Sequence, residues 1–194
     1  MEGMHHLPRL PRVYYQAFAV VHWTITLQAR ATGWLDNAFH ACFRELLLHV
    51  AAREALFCPT YVLMPDHVHL LWMGLELNSD QINGMRFLRK HLQIEFTRRD
   101  MPGRPPYQLQ KQSHDNVLRA EERKQGAFAA ACWYVLENAV RAGLVTHPRQ
   151  WKWLGAVVPG YPDVHPLEQD FWPLFWKLYA QQREPVNPPA LPPF

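Results

Sequence analysis

Residues Cys58-Pro-Thr-Tyr-Val-Leu-Met-Pro-Asp-His-Val-His-Leu-Leu-Trp72 read as strand, tight turn, strand. Tyr61 to Met64 is an apolar run of strand formers, and Pro65-Asp66 is turn chemistry, because proline fixes φ and aspartate bonds its own backbone. His67 to Trp72 is the returning strand. With a side-chain period of two, His67 and His69 point to one face, and Val68, Leu70 and Trp72 to the other, into a core. Two imidazoles side by side at the mouth of a hairpin could grip one divalent metal ion. His-x-His also describes two half-exposed strand histidines, and two ligands do not complete a catalytic metal site. A second element has to supply the rest.

Upstream of the hairpin, Ala17 to Leu27 is β-branched and aromatic, a first strand in which His22 reads as a partly buried strand residue. Asp36 or Asn37 can cap a helix running to about Leu56, with Phe39, Phe43, Leu46, Leu47 and Val50 at helical spacing. Downstream, Ser79 or Asp80 caps a second helix over about 80–99. Its outer side carries Arg86, Arg89, Lys90, Arg98 and Arg99, with Arg104 just beyond, against few acids. A one-signed face is either a solvated helix surface or a phosphate track. Tyr107 to Gln112 alternates like a strand, and Ser113 to Arg119 reads as turn or extended chain. A third helix is expected over about 120–142, stopped by Gly143.

The 194 residues suffice for one domain of ordinary size, and 48% hydrophobic against 19% charged residues mark a globular chain. The net charge of +3 does not by itself announce nucleic acid, so that argument rests on the local cluster. The three cysteines, Cys42, Cys58 and Cys132, form no Cys-x-x-Cys pair and suit a reducing, cytoplasmic setting. The N-terminus lacks an apolar signal core, and no apolar run is long enough to span a bilayer. Residues 1–12 read as a loose N-terminal arm, 13–150 as the domain, 151–184 as a Trp- and Pro-rich extension packed on it with a short helix near 168–181, and 185–194 as a Pro-rich tail.

In the third helix Tyr134 and Asn138 are four apart and share a face. The pairing of Met64-Pro-Asp-His-Val-His69 with Tyr134-Val-Leu-Glu-Asn138-Ala-Val-Arg-Ala-Gly-Leu-Val145 resembles the single-tyrosine HUH transposases, and among them the REP-associated tyrosine transposases of bacteria. The resemblance covers roughly residues 14 to 155. It implies an α+β, ferredoxin-like sandwich, an antiparallel sheet with helices packed on one face. It also implies Mg²⁺ or Mn²⁺ held by His67 and His69, with Asn138 where a polar residue completes the site in some relatives. Tyr134 stands in the place of the nucleophile, which attacks single-stranded or hairpin DNA and leaves a 5′-phosphotyrosine and a free 3′-hydroxyl. A tyrosine hydroxyl is a weak acid that a nearby cation helps to ionise, and the covalent link conserves the bond for rejoining.

Two positions depart from the family pattern. Asp66 stands where the turn usually has Asn, and Ala139 where the helix usually has Pro, which predicts a straighter helix and a shifted Asn138. The resemblance leaves open whether the tyrosine works within its own subunit or across a homodimer. It places the protein in the cytoplasm, on the nucleoid when bound to DNA. The rival reading is a domesticated hairpin-DNA-binding protein of the same fold that does not cut. A metallo-β-lactamase-type hydrolase fails because Leu70, Leu71 and Trp72 follow His69, and a barrel amidohydrolase needs a longer chain.

Overall fold

The first apolar run forms β1 (Val20–Thr26), and the hairpin forms β2 (Leu56–Leu63) and β3 (His67–Gly74). In this computed structural model, which describes residues 9–100, 103, 105–119, 121–122 and 126–185, they join β4 (His114–Leu118) and β5 (Leu154–Val157). The sheet has the order β4-β1-β3-β2-β5 and is antiparallel throughout. Helix α1 (Asn37–Glu54) connects β1 to β2, and α2 (Gln81–Arg98) connects β3 to β4. The result is the βαββαβ arrangement of the ferredoxin-like sandwich, as the sequence implied, with β5 added outside β2.

Each element starts where its capping chemistry says it should. The Asp36 carboxylate accepts from the Phe39 amide at the head of α1, and Asp80 accepts from the amides of Ile82 and Asn83 at the head of α2. Phe39, Phe43, Leu47 and Val50 of α1, and Met85, Leu88, Leu92 and Phe96 of α2, then pack on Trp23, Ile25, Val68, Leu70 and Trp72. Those five strand residues alternate with His22, Thr24, His67, His69 and Leu71. The even and odd positions therefore face opposite sides of the sheet.

The expectation of helices on one face fits α1 and α2 and stops there. The other face is apolar too, through Val20, Phe57, Leu71 and Met73, and it is covered by α3 (Ala127–Leu136) and by α5 (Phe171–Gln182) with Phe171, Phe175 and Tyr179. The extension after residue 150 also contributes β5, whose four residues are buried in the sheet. The Trp151 indole donates to the Leu63 carbonyl, and the Leu63 amide to the Trp153 carbonyl, which ties the extension to β2.

Three further expectations are corrected. The strand expected over Tyr107–Gln112 lies instead at His114–Leu118. Tyr107 and Leu109 plug the helix-side core, with Leu109 making only an isolated bridge to Leu27, while the polar, half-exposed His114–Leu118 segment pairs with β1. The third helix is not continuous. Gly126 takes a left-handed φ of 86° ahead of α3, and a break at Glu137 separates α3 from the short α4 (Asn138–Arg141). The break forms although Ala139 stands in place of Pro, so the helix is not straightened. Finally, the part of the expected loose arm that lies within the described residues is anchored: Arg9 pairs with Asp115 and Arg12 with Asp80.

Candidate active site

His67 and His69 sit on the face of β3 turned away from α1 and α2. Their Nε2 atoms are 3.1 Å apart, and the rings stand nearly perpendicular. Each Nδ1 is held from behind. That of His67 lies 2.5 Å from Asp66 Oδ1, and the second carboxylate oxygen of Asp66 is 2.9 Å from Arg30 Nε. That of His69 lies 2.9 Å from Thr24 Oγ1 and 3.1 Å from His22 Nε2, both on β1. The antiparallel register makes this contact: Thr24 is the cross-strand partner of His69. Burial, then the neighbouring His22, His67, Arg141 and Arg30, push the His69 pKa down to about 2, and burial pushes that of His22 down to about 4. His69 and His22 are therefore neutral near pH 7, the form in which imidazole binds a metal.

Tyr134 arrives from α3. Its ring lies edge-on to His69 with centroids 5.6 Å apart, and to His22 at 5.5 Å, yet it stays 42% exposed. Val135 and Leu136 of α3 and Ala139 of α4 anchor this region on Val62 and Met64 of the sheet. The helix break is built around the tyrosine's own carbonyl, which accepts from Asn138 Nδ2 at 3.2 Å and from Arg141 Nη2 at 2.7 Å. The Arg141 guanidinium then lies 3.8 Å over the Tyr134 ring.

The fit to a divalent ion follows from these distances. Two neighbouring ligands on an ion with bonds of about 2.1 Å stand roughly 3 Å apart, which is the spacing of the two Nε2 atoms. Among the described residues no group of three or more His, Cys, Asp or Glu side chains is arranged to hold a metal. The two Nε2 atoms could supply two ligands to such an ion and do not by themselves complete a site. The Asn138 amide nitrogen caps the Tyr134 carbonyl.

The expected DNA-binding cations lie elsewhere. Helix α2 is on the opposite face of the sheet from Tyr134 and the histidines. Arg86, Lys90 and Arg98 are exposed, Arg86 donating to Asn83 Oδ1 and Arg98 3.4 Å from Glu95. Arg89 is not free: it donates to Ser113 Oγ and to the carbonyls of Gln110 and Lys111. Arg99 is paired with Asp36 and Glu95. Arg104 lies outside the described residues. Sequence reading missed Thr24, Arg30 and Arg141. Only strand register could reveal Thr24, and Arg30 comes from a turn whose Ala29 and Arg30 have left-handed φ of 50° and 53°. Arg141 carried a usable signal, being two helical turns beyond Tyr134. Among the described residues no helix is long and apolar enough to cross a membrane.

No protein-family model matches the chain, and no curated protein matches it. Among solved structures, the fold is similar to that of a REP-associated tyrosine transposase bound to a REP hairpin, at 18% identity and a TM-score of 0.60, over 76% of this chain and 82% of that one. A candidate transposase from Deinococcus radiodurans R1 also matches, at 15% identity and a TM-score of 0.40, over 67% of this chain and 95% of that one. The likeness is one of fold. The REP-associated tyrosine transposase is of the family whose motifs the sequence resembles.

Proposed function

We propose that this chain cuts and rejoins single-stranded or hairpin DNA through a 5′-phosphotyrosine on Tyr134, with Mg²⁺ or Mn²⁺ held by His67 and His69. The observation that carries the reading is the meeting of a half-exposed tyrosine with two converging imidazoles, brought together from α3 and β3. A divalent ion bound there would neutralise charge on the phosphoryl oxygens. Tyr134 Oη attacks phosphorus, the bond from phosphorus to O3′ breaks, and the 3′ oxygen leaves with a proton. The phosphotyrosyl ester keeps the bond, so attack by a 3′-hydroxyl restores the strand and releases the tyrosine. Arg141, lying over the ring, can meet the phosphate. A hairpin substrate is supported by the fold shared with a transposase bound to one. Cations of α2 would touch only DNA that passes round to the back of the sheet.

The test is a labelled DNA hairpin with a single-stranded flank, incubated with protein and Mn²⁺ and resolved under denaturing conditions. The wild type should give a covalent protein–DNA adduct mapped to Tyr134. Tyr134→Phe should fold and bind the hairpin as before, with no adduct. Adduct formation by Tyr134→Phe would overturn the reading. Hairpin binding without any adduct from the wild type would leave the non-cutting rival.

A further inference from the structure

We infer that Asp66, held by Arg30, is a positioning residue that fixes His67 with its proton on Nδ1 and its Nε2 lone pair aimed at the point it shares with His69; its use for a divalent ion rests on the reading above. A carboxylate oxygen only accepts, so the 2.5 Å contact requires Nδ1 to donate. In the neutral ring the lone pair is then on Nε2, 3.1 Å from the Nε2 of His69. Arg30 Nε, 2.9 Å from the other carboxylate oxygen, fixes the plane of the carboxyl group. The turn that carries Arg30 is itself tied to the hairpin, because the Leu27 amide donates to the Asp66 carbonyl at 3.1 Å. Cross-strand pairing of Thr26 with His67 closes the same end of the sheet.

Position 66 also sets a charge. Asp66 puts a carboxylate behind the His67 imidazole. Arg30 offsets that charge beside the partly buried His67 and the buried His69. His69 is set by neutral partners, Thr24 and His22, so the two rings of the pair are tuned differently: one through an ion pair, one through a hydroxyl and an imidazole.

Two measurements on the full chain test this, one of them without metal. In protein carrying ¹⁵N-labelled histidine, freed of metal and held slightly above neutral pH, the His67 nitrogen shifts should report the Nδ1–H tautomer. Asp66→Ala should move the proton toward Nε2, and Asp66→Asn, which keeps an oxygen acceptor, should leave it on Nδ1. In parallel, Mn²⁺ titration followed by its electron paramagnetic resonance should show binding weakened about 10–100-fold in Asp66→Ala and by a smaller factor in Asp66→Asn. A His67 tautomer that does not respond to Asp66→Ala, in a variant that melts as the wild type does, overturns the inference, as does unchanged Mn²⁺ affinity where His67→Ala abolishes it. If Asp66→Ala does not fold, an Nε2–H tautomer in the wild type or in Asp66→Asn overturns it equally. If the wild type binds no Mn²⁺ while the tautomer follows Asp66, the metal reading falls and the positioning stands.

Discussion

The Arg141 guanidinium lies 3.8 Å over the ring of Tyr134 and at the same time donates to that residue's carbonyl oxygen at 2.7 Å. One side chain thus repairs the helix at its break and places a positive charge against the tyrosine. A cation over an aromatic face contributes roughly 0.5–2 kcal/mol. Arg141→Ala should therefore slow single-turnover adduct formation by about 2- to 30-fold, with Mn²⁺ affinity unchanged or slightly raised. Arg141→Lys should fall between, because an ammonium keeps the charge and loses the planar fork. Equal rates for all three proteins would reduce Arg141 to a helix cap.

The hairpin and both long helices were legible because each signal is local: alternation, turn residues, an Asp cap and an apolar stripe. His67, His69 and Tyr134 were legible as residue types at meaningful spacings. What was not legible depends on pairing at a distance. The strand at His114–Leu118 is polar and exposed on alternate residues and is specified by β1, not by its own propensity. The division of the α2 cations into exposed and structural ones was equally hidden. Arg89 lies within one helical turn of Arg86 and Lys90, but only the folded chain brings the Gln110, Lys111 and Ser113 acceptors to it.

Gly74 ends β3 against the turn before β1. A Cβ there would stand 1.7 Å from the Ala17 carbonyl oxygen, which is backbone and cannot rotate away. Gly74→Ala should cost at least about 3 kcal/mol, at the upper end of overpacking penalties, read by urea denaturation. Gly143→Ala makes a useful contrast, since among the described residues its Cβ would meet nothing within 4 Å, leaving a φ of 68° as the source of its cost. A Gly74→Ala protein as stable as the wild type would mean that the β3 terminus and residue 17 do not meet in this way.

Acid should destabilise the fold through its buried, neutral histidines. His22 and His40 have pKa values pushed down to about 4 from an ordinary 6.5, His22 by burial and His40 by burial and the nearby Arg44. His69 is lower still. A folded pKa below the unfolded one means that the unfolded chain binds more protons in the window between them. Stability is therefore complete above about pH 6.5 and lost as pH falls toward 4, by up to about 1.4 kcal/mol per unit for a buried histidine and less for the partly exposed His40. Urea melts in chelator across that range should show the slope, and His22→Gln should make it shallower. An identical slope in His22→Gln would mean that its ring is not kept neutral by the fold.

The α2 cations separate into two groups with opposite signatures. Arg86, Lys90 and Arg98 point to solvent from a helix whose buried edge is Met85, Leu88, Leu92 and Phe96. If DNA runs along this helix, replacing all three with alanine should weaken hairpin binding for every sequence and flatten the salt dependence, by about 0.7–0.9 in slope for each phosphate no longer neutralised. Stability should change little. Arg89→Ala should do the reverse. It leaves the Gln110 and Lys111 carbonyls without their charged donor, costing roughly 1.5–3 kcal/mol of stability, with the salt slope of binding unchanged. Both readouts are needed, because weaker binding alone could come from unfolding. If the triple variant keeps the wild-type slope, the phosphates are met on the Tyr134 face, where Arg30 and Arg141 stand beside the histidines, and the back of the sheet is an ordinary solvated helix surface.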